Sequence, residues 1–321
     1  MNRQIIFMFS GQGSQYYHMG KELYENHAQF KLWMDHCDKI VQPHIQISLI
    51  DILYSGRKKS ESFDHLLYTN PALLCIEYSL VRVLMEMGVQ PDFLLGYSLG
   101  EITASVVSGA ISLEEGIEVV VGMARLAEEN TPQVEMLAVI ESLEITTEFP
   151  DLFKNCWVTG KNFQRSFVVS GLSSDIRNLQ EGLNKMNLIS QKLPVKYGFH
   201  TELIDPIESE FNQMISKLNI SSIGIPMISS LKNETLHEIS KNYFWEVIRY
   251  PVDFMKTIEW MLKKGDYIFI DVGPSGTLAT FVKYILSSDS RSISLQMINQ
   301  FGNDLKAIEK LGISLSEEAL V

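Results

Sequence analysis

The stretch Gly96-Tyr97-Ser98-Leu99-Gly100-Glu101 sets a hydroxyl between two glycines. Phe93-Leu94-Leu95 precedes it as a short apolar run of the buried-strand kind, and Ile102 to Ala110 follows as a small, apolar stretch without a breaker until Gly109. A strand that turns sharply into a helix brings backbones too close for Cβ atoms, so both glycines have a steric reason to be there. Ser98 then stands at a helix N-terminus as a nucleophile, with the N–H of Leu99 facing a developing oxyanion. The six residues alone also fit a glycine-bounded turn with an ordinary serine; the strand and helix patterns on either side favour the nucleophile. Such a serine needs a base that titrates near neutral pH. Of seven histidines, His200 in Tyr197-Gly198-Phe199-His200-Thr201 is the one at a strand exit beside a glycine. A satisfied structural histidine is the other reading there, and His18, His27, His36, His44, His65 and His237 keep it. A second glycine-rich turn, Ser10-Gly11-Gln12-Gly13-Ser14-Gln15, follows the apolar run Ile5 to Phe9 and can present backbone N–H groups into a cleft. It lacks the Gly-Lys-Ser/Thr of a phosphate loop, and a tight turn with no ligand stays open.

The chain that must position these residues has 321 of them, 45% hydrophobic, enough to bury a large core as one domain or two closely joined ones. A net charge of −12 opposes non-specific binding to nucleic acid or to an anionic membrane. Cys37, Cys75 and Cys156 show no metal-ligand spacing and read as buried thiols of a reducing compartment. No stretch has the length of a membrane span, and a cytoplasmic location and a monomer are expected. Pro43 reads as a break in the helical pattern from Lys31 to Ile52, and Asn70-Pro71 as the opening of a helix from Ala72 to Met87. Ser112-Leu113-Glu114-Glu115 is a capping box for a helix running to about Asn130. From 133 to 197 the pattern becomes strand, helix, strand, strand, helix, strand, the ferredoxin-like order. The expected fold is thus α/β: a large domain from 1–132 and 198–321 around a parallel sheet, with an inserted ferredoxin-like small domain at 133–197.

Together, Phe9 to Gln15, Gly96 to Glu101, Val169-Ser170-Gly171, Phe199-His200, Tyr250-Pro251-Val252-Asp253-Phe254 and Asp271-Val272-Gly273-Pro274 resemble, over almost the whole chain, the malonyl-CoA:acyl carrier protein transacylases and the acyltransferase domains of polyketide synthases. The resemblance implies an α/β-hydrolase-like large domain with a ferredoxin-like insertion. It makes Ser98 the nucleophile of an acyl-enzyme, His200 the base and later acid, and the N–H groups of Gln12 and Leu99 the oxyanion hole. It implies no carboxylate third member; a backbone carbonyl four residues before the proline orients the histidine, which here is that of Val247. No cofactor is implied, since the phosphopantetheine arm belongs to the carrier protein. Basic residues of the insertion, Lys161, Arg165, Lys192 and Lys196, are candidates for docking it, or are simply solvated.

Where malonyl-specific members of that family carry a carboxylate-binding arginine, this chain has Met123. Arg125 lies about 200° further around the helix and points elsewhere. An unpaired malonyl carboxylate is costly to bury, and a thioether favours a neutral acyl group. The chain therefore most resembles the trans-acting acyl hydrolases that lack the arginine and clear stalled acyl groups from carrier proteins, with water resolving acyl-Ser98. A transacylase delivering malonyl or another acyl group to a carrier thiol is the first alternative, and a non-catalytic carrier-binding module the second. Tyr97, Phe199 and Asn70 complete the expected substrate-binding set, Tyr97 and Asn70 being departures from the usual histidine and glutamine.

Overall fold

The structure is a computed structural model that describes residues 3–318. Ile6, Phe7, Met8 and Phe9 are fully buried, so this strand is covered on both faces, as a parallel sheet flanked by helices requires. Eleven strands occur in the described residues: β1 (Gln4–Phe9), β2 (Phe93–Gly96), β3 (Glu135–Ile140), β4 (Cys156–Phe163), β5 (Ser166–Gly171), β6 (Ile189–Leu193), β7 (Met227–Ser229), β8 (Glu234–Leu236), β9 (Val252–Asp253), β10 (Tyr267–Asp271) and β11 (Ile293–Gln296). They form a six-stranded sheet in the order β11-β10-β1-β2-β7-β8 and a five-stranded sheet in the order β6-β3-β5-β4-β9. In the larger sheet every neighbouring pair is parallel except β7 with β8. β1 and β2 are adjacent at its centre, with Phe9 opposite Gly96, so the turns carrying Gln12 and Ser98 leave side by side at the carboxyl edge. That edge is where ligands sit in open α/β sheets.

In the second sheet β3 lies between β5 and β6, and β4 lies outside β5, all antiparallel. These four strands fall within 133–197 in the expected order, but β9 joins them from outside it, pairing parallel to β4 at Gly160 and Lys161. Cys37 and Cys75 are buried free thiols, and Cys156 is partly buried. No helix among the described residues is long and apolar enough to cross a membrane.

Two proline readings are corrected. Pro43 lies inside the helix Ala28–Ile45, near its end, where one lost backbone bond is all it costs before the chain leaves at Gln46 in the left-handed region. The helix expected from Ala72 begins at Leu66, with Pro71 in its second turn. Burial of Leu66, Thr69 and Asn70 holds that extra turn in place. The helix Thr277–Ile285 and strand β11 had no counterpart in the sequence reading.

Packing between β1 and the helix Gly100–Val107 leaves no room for a side chain: a Cβ on Gly100 would lie 2.1 Å from the carbonyl oxygen of Phe9. Gly100→Ala is therefore expected to destabilise the fold by about 1–3 kcal/mol, read as a lower urea midpoint. An unchanged midpoint would show that β1 and this helix can separate freely.

Candidate active site

β2 ends at Gly96 and the next helix begins at Gly100, so three residues reverse the chain direction. Ser98 takes the strained position, with φ 55°. A Cβ on Gly96 would meet Glu101 N at 2.3 Å, and one on Gly11 would meet Tyr97 O at 2.7 Å. The β1 turn thus packs at Gly11 directly against the Tyr97 carbonyl and the Ser98 Cβ of the elbow.

His200, 102 residues after Ser98, also has a left-handed backbone, with φ 65°. Its N–H donates to Ile248 O at 2.8 Å, which pins the residue beside the elbow. Ser98 Oγ lies 2.7 Å from His200 Nε2, and His200 Nδ1 lies 2.7 Å from the carbonyl oxygen of Tyr250. A carbonyl can only accept, so Nδ1 carries the proton and Nε2 is left to accept from the serine hydroxyl. Burial pushes the His200 pKa down to about 4, with the Tyr250 carbonyl opposing the shift.

The orienting carbonyl is therefore that of Tyr250 and not that of Val247. Val247 is buried within the helix Lys241–Arg249. Tyr250 ends that helix in an extended conformation, φ −98° and ψ 149°, as the residue before a proline favours, and this turns its carbonyl out of the helix direction towards His200.

Ser98 and His200 open into a cavity of about 60 Å³, room for a few water molecules or a short acyl chain. Gln12, Tyr97, Leu99, Met123 and Phe199 line it, and Met136, Val168 and Leu193 close it from the second sheet. Met123 is 2% exposed. No arginine or lysine lines this cavity among the described residues. Arg125, two residues on, donates to the carbonyl of His44 on another helix. Asn70 does not line the cavity; it stands behind Gln12. Its Nδ2 donates to Val120 O at 3.2 Å, which turns its Oδ1 to accept from Gln12 Nε2. Gln12 Nε2 also donates to Thr69 Oγ1 at 2.9 Å, so the extra helical turn is what grips Gln12. A wider cavity of about 990 Å³ continues between the sheets and shares Gln12, Tyr97, Val168 and Leu193 with the first.

Three buried carboxyl groups to which the sequence reading gave no role of their own, although Glu101 and Asp271 stand in its motifs, tie down loops after β1, β7 and β10. Glu77 accepts from Ser10 N and Ser10 Oγ, both at 2.7 Å; Glu101 accepts from Ser230 N at 2.8 Å and Tyr243 OH at 2.9 Å; Asp271 accepts from Gly273 N at 2.8 Å and Ala279 N at 2.9 Å. Burial pushes their pKa values up to about 8, 7 and 6 respectively. An acid within the apolar run around Glu77 was the available signal. The four basic docking candidates each have an acidic neighbour: Lys161 with Asp253, Arg165 with Glu141, Lys192 with Glu135 and Lys196 with Asp64. They do not form an unopposed positive patch.

Comparison with known proteins places this geometry in a family. Residues 6–315 match the acyl transferase domain family. The chain is 38% identical over 307 residues to the polyketide biosynthesis acyltransferase homolog PksD of Bacillus subtilis, covering 95% of each, and 34% identical to the homolog BaeD of Bacillus velezensis, covering 98% of each. Among solved structures, the acyltransferase domain from the second module of the salinomycin polyketide synthase superimposes with a TM-score of 0.84 at 26% identity, over 97% of this chain and 72% of that one. The malonyl CoA-acyl carrier protein transacylase from Clostridium perfringens does so with a TM-score of 0.81 at 25% identity, over 99% of this chain and 98% of that one. A mixed α/β fold with a central parallel sheet, a serine at its elbow and a match along nearly its whole length make this chain a member of the acyl transferase domain family.

Proposed function

We propose that this protein is an acyl hydrolase of polyketide biosynthesis that removes neutral acyl groups from acyl carrier protein thioesters, with Ser98 as nucleophile and water as the final acceptor. The observation that carries this reading is Met123 beside Ser98 and His200 in a cavity without a cationic side chain. A malonyl carboxylate there would be buried unpaired, at a cost of several kcal/mol, whereas an acetyl or other short apolar group meets a thioether and aliphatic walls.

In the first half-reaction Ser98 Oγ attacks the thioester carbonyl while its proton passes to His200 Nε2. The N–H groups of Gln12 and Leu99 receive the charge on the carbonyl oxygen, and His200 returns the proton to the departing phosphopantetheine sulfur. In the second, water attacks the Ser98 ester, His200 takes its proton, and the serine leaves protonated with release of the carboxylic acid. The wide cavity between the sheets is the route for the carrier protein's arm. The Tyr250 carbonyl holds the imidazolium formed in each step without itself becoming charged.

His200 titrates below its ordinary range because it is buried, so the base is available above about pH 4. The rate of acyl-enzyme formation is expected to stay level from neutral pH downward and to fall only as pH drops through about 4. A fall centred between pH 6 and 7, the ordinary histidine range, would contradict the buried, carbonyl-held imidazole.

Incubation with acetyl-loaded and malonyl-loaded carrier protein, followed by intact mass, tests the reaction. Catalytic return of the acetyl form to free carrier protein, abolished by Ser98→Ala, with the malonyl form intact is the expected result. Stable appearance of the acyl group on a second, unloaded carrier protein would establish transfer instead.

A further inference from the structure

We propose that the Gly160–Asn162 segment of β4 positions the Ser98–His200 pair, and that the Tyr97–Asn162 hydrogen bond is the contact through which the second sheet holds Ser98. The inference rests on the reading of Ser98 as nucleophile. It starts from the strained backbones of both residues, a conformation that persists only when its surroundings over-determine it. For Ser98, the adjoining residue is fixed at both ends. Tyr97 N donates to Phe9 O at 2.9 Å, and Tyr97 OH donates to Asn162 Oδ1 at 2.9 Å.

The acceptor is built for that task. Asn162 is 3% exposed, and its Nδ2 donates to Ser166 Oγ at 3.2 Å, which leaves Oδ1 facing the phenol. Burial holds the Tyr97 phenol well above its usual range, so it stays a donor. The ring packs at 5.8 Å from Phe254 and 6.5 Å from Phe281. β4 passes so close to the phenol that a Cβ on Gly160 would lie 2.5 Å from Tyr97 OH.

The same segment reaches the base. Gly160 pairs with Val252 and Lys161 with Asp253, in the strand that starts two residues after Tyr250, whose carbonyl holds His200 Nδ1. Asp253 and Lys161 are further joined by an ion pair at 3.5 Å. On its other side Gly160 is opposite Val168, a wall of the acyl cavity. One short segment therefore touches the neighbour of the nucleophile, the strand that begins two residues past the carbonyl that orients the base, and the wall that meets the acyl chain.

The test compares Tyr97→Phe, Asn162→Ala, Gly160→Ala and the Tyr97→Phe/Asn162→Ala double variant with the parent protein. A small fluorophosphonate reports Ser98 reactivity, with the labelled residue located by peptide mass and folding followed by thermal midpoint. Each single variant is expected to lower the limiting labelling rate at saturating reagent by roughly tenfold while the half-saturating concentration stays the same. The double variant is expected to match the singles and not their product, because both substitutions remove one contact. Tyr97→Phe keeps the ring and its packing, so it reports even if Asn162→Ala fails to fold. Limiting rates within about twofold of the parent, or multiplicative losses in the double variant, would overturn the inference while leaving Ser98 as nucleophile. Labelling of the parent at a residue other than Ser98 would overturn both.

Discussion

The carbonyl oxygen of Tyr250 accepts from His200 Nδ1, and everything else at the site depends on that choice of partner. Because the partner is neutral, the imidazole can be buried without a second charge beside it, and burial keeps it unprotonated. Because the partner only accepts, Nε2 is left facing Ser98. The contact requires Tyr250 to leave its helix in an extended conformation, which Pro251 enforces, and requires β9 to follow at once beside β4. A peptide group can serve where a carboxylate would otherwise stand, provided the chain on both sides of it is held.

Holding those chains falls to buried polar groups and close backbone contacts. Glu77, Glu101 and Asp271 each collect donors from a loop at the carboxyl edge of the parallel sheet, and their raised pKa values follow from the loss of water that makes those bonds strong. Gln12 is gripped through its side chain by Thr69 and Asn70. The helix Leu113–Asn130 serves two surfaces at once: Met123 looks into the acyl cavity, while Arg125 ties the outer face to the carbonyl of His44. A cation two residues from the cavity is thus kept out of it by helical geometry.

Much of this was legible in the sequence because side chains carry it. The glycines around Ser98 announced close backbones, the capping box fixed the start of a helix, and the element order between 133 and 197 matches the four antiparallel strands found there. The orienting carbonyl was not legible: Val247 and Tyr250 offer the same peptide group, and only the fold says which one turns towards His200. Pro43 and Pro71 read as boundaries because local preference opposes helix there, while burial on the surrounding turns outweighs it. The pairing of β9 with β4 joins residues about ninety apart through two ladder positions, too short a segment for any periodicity to mark. Glu77 and Asp271 gain their roles only from donors brought by distant loops, which sequence spacing does not show.

The residue at 123 is proposed to decide which acyl group Ser98 accepts. The most direct measurement is the mass of the protein itself, trapped during turnover with acetyl and malonyl thioesters, in the parent and in Met123→Arg. An acetyl adduct on Ser98 of the parent with no malonyl adduct is expected, and a shift of that preference towards malonyl by roughly a hundredfold in the variant, as a newly paired carboxylate worth about 3 kcal/mol implies. A malonyl adduct formed as readily as the acetyl one on the parent would contradict it.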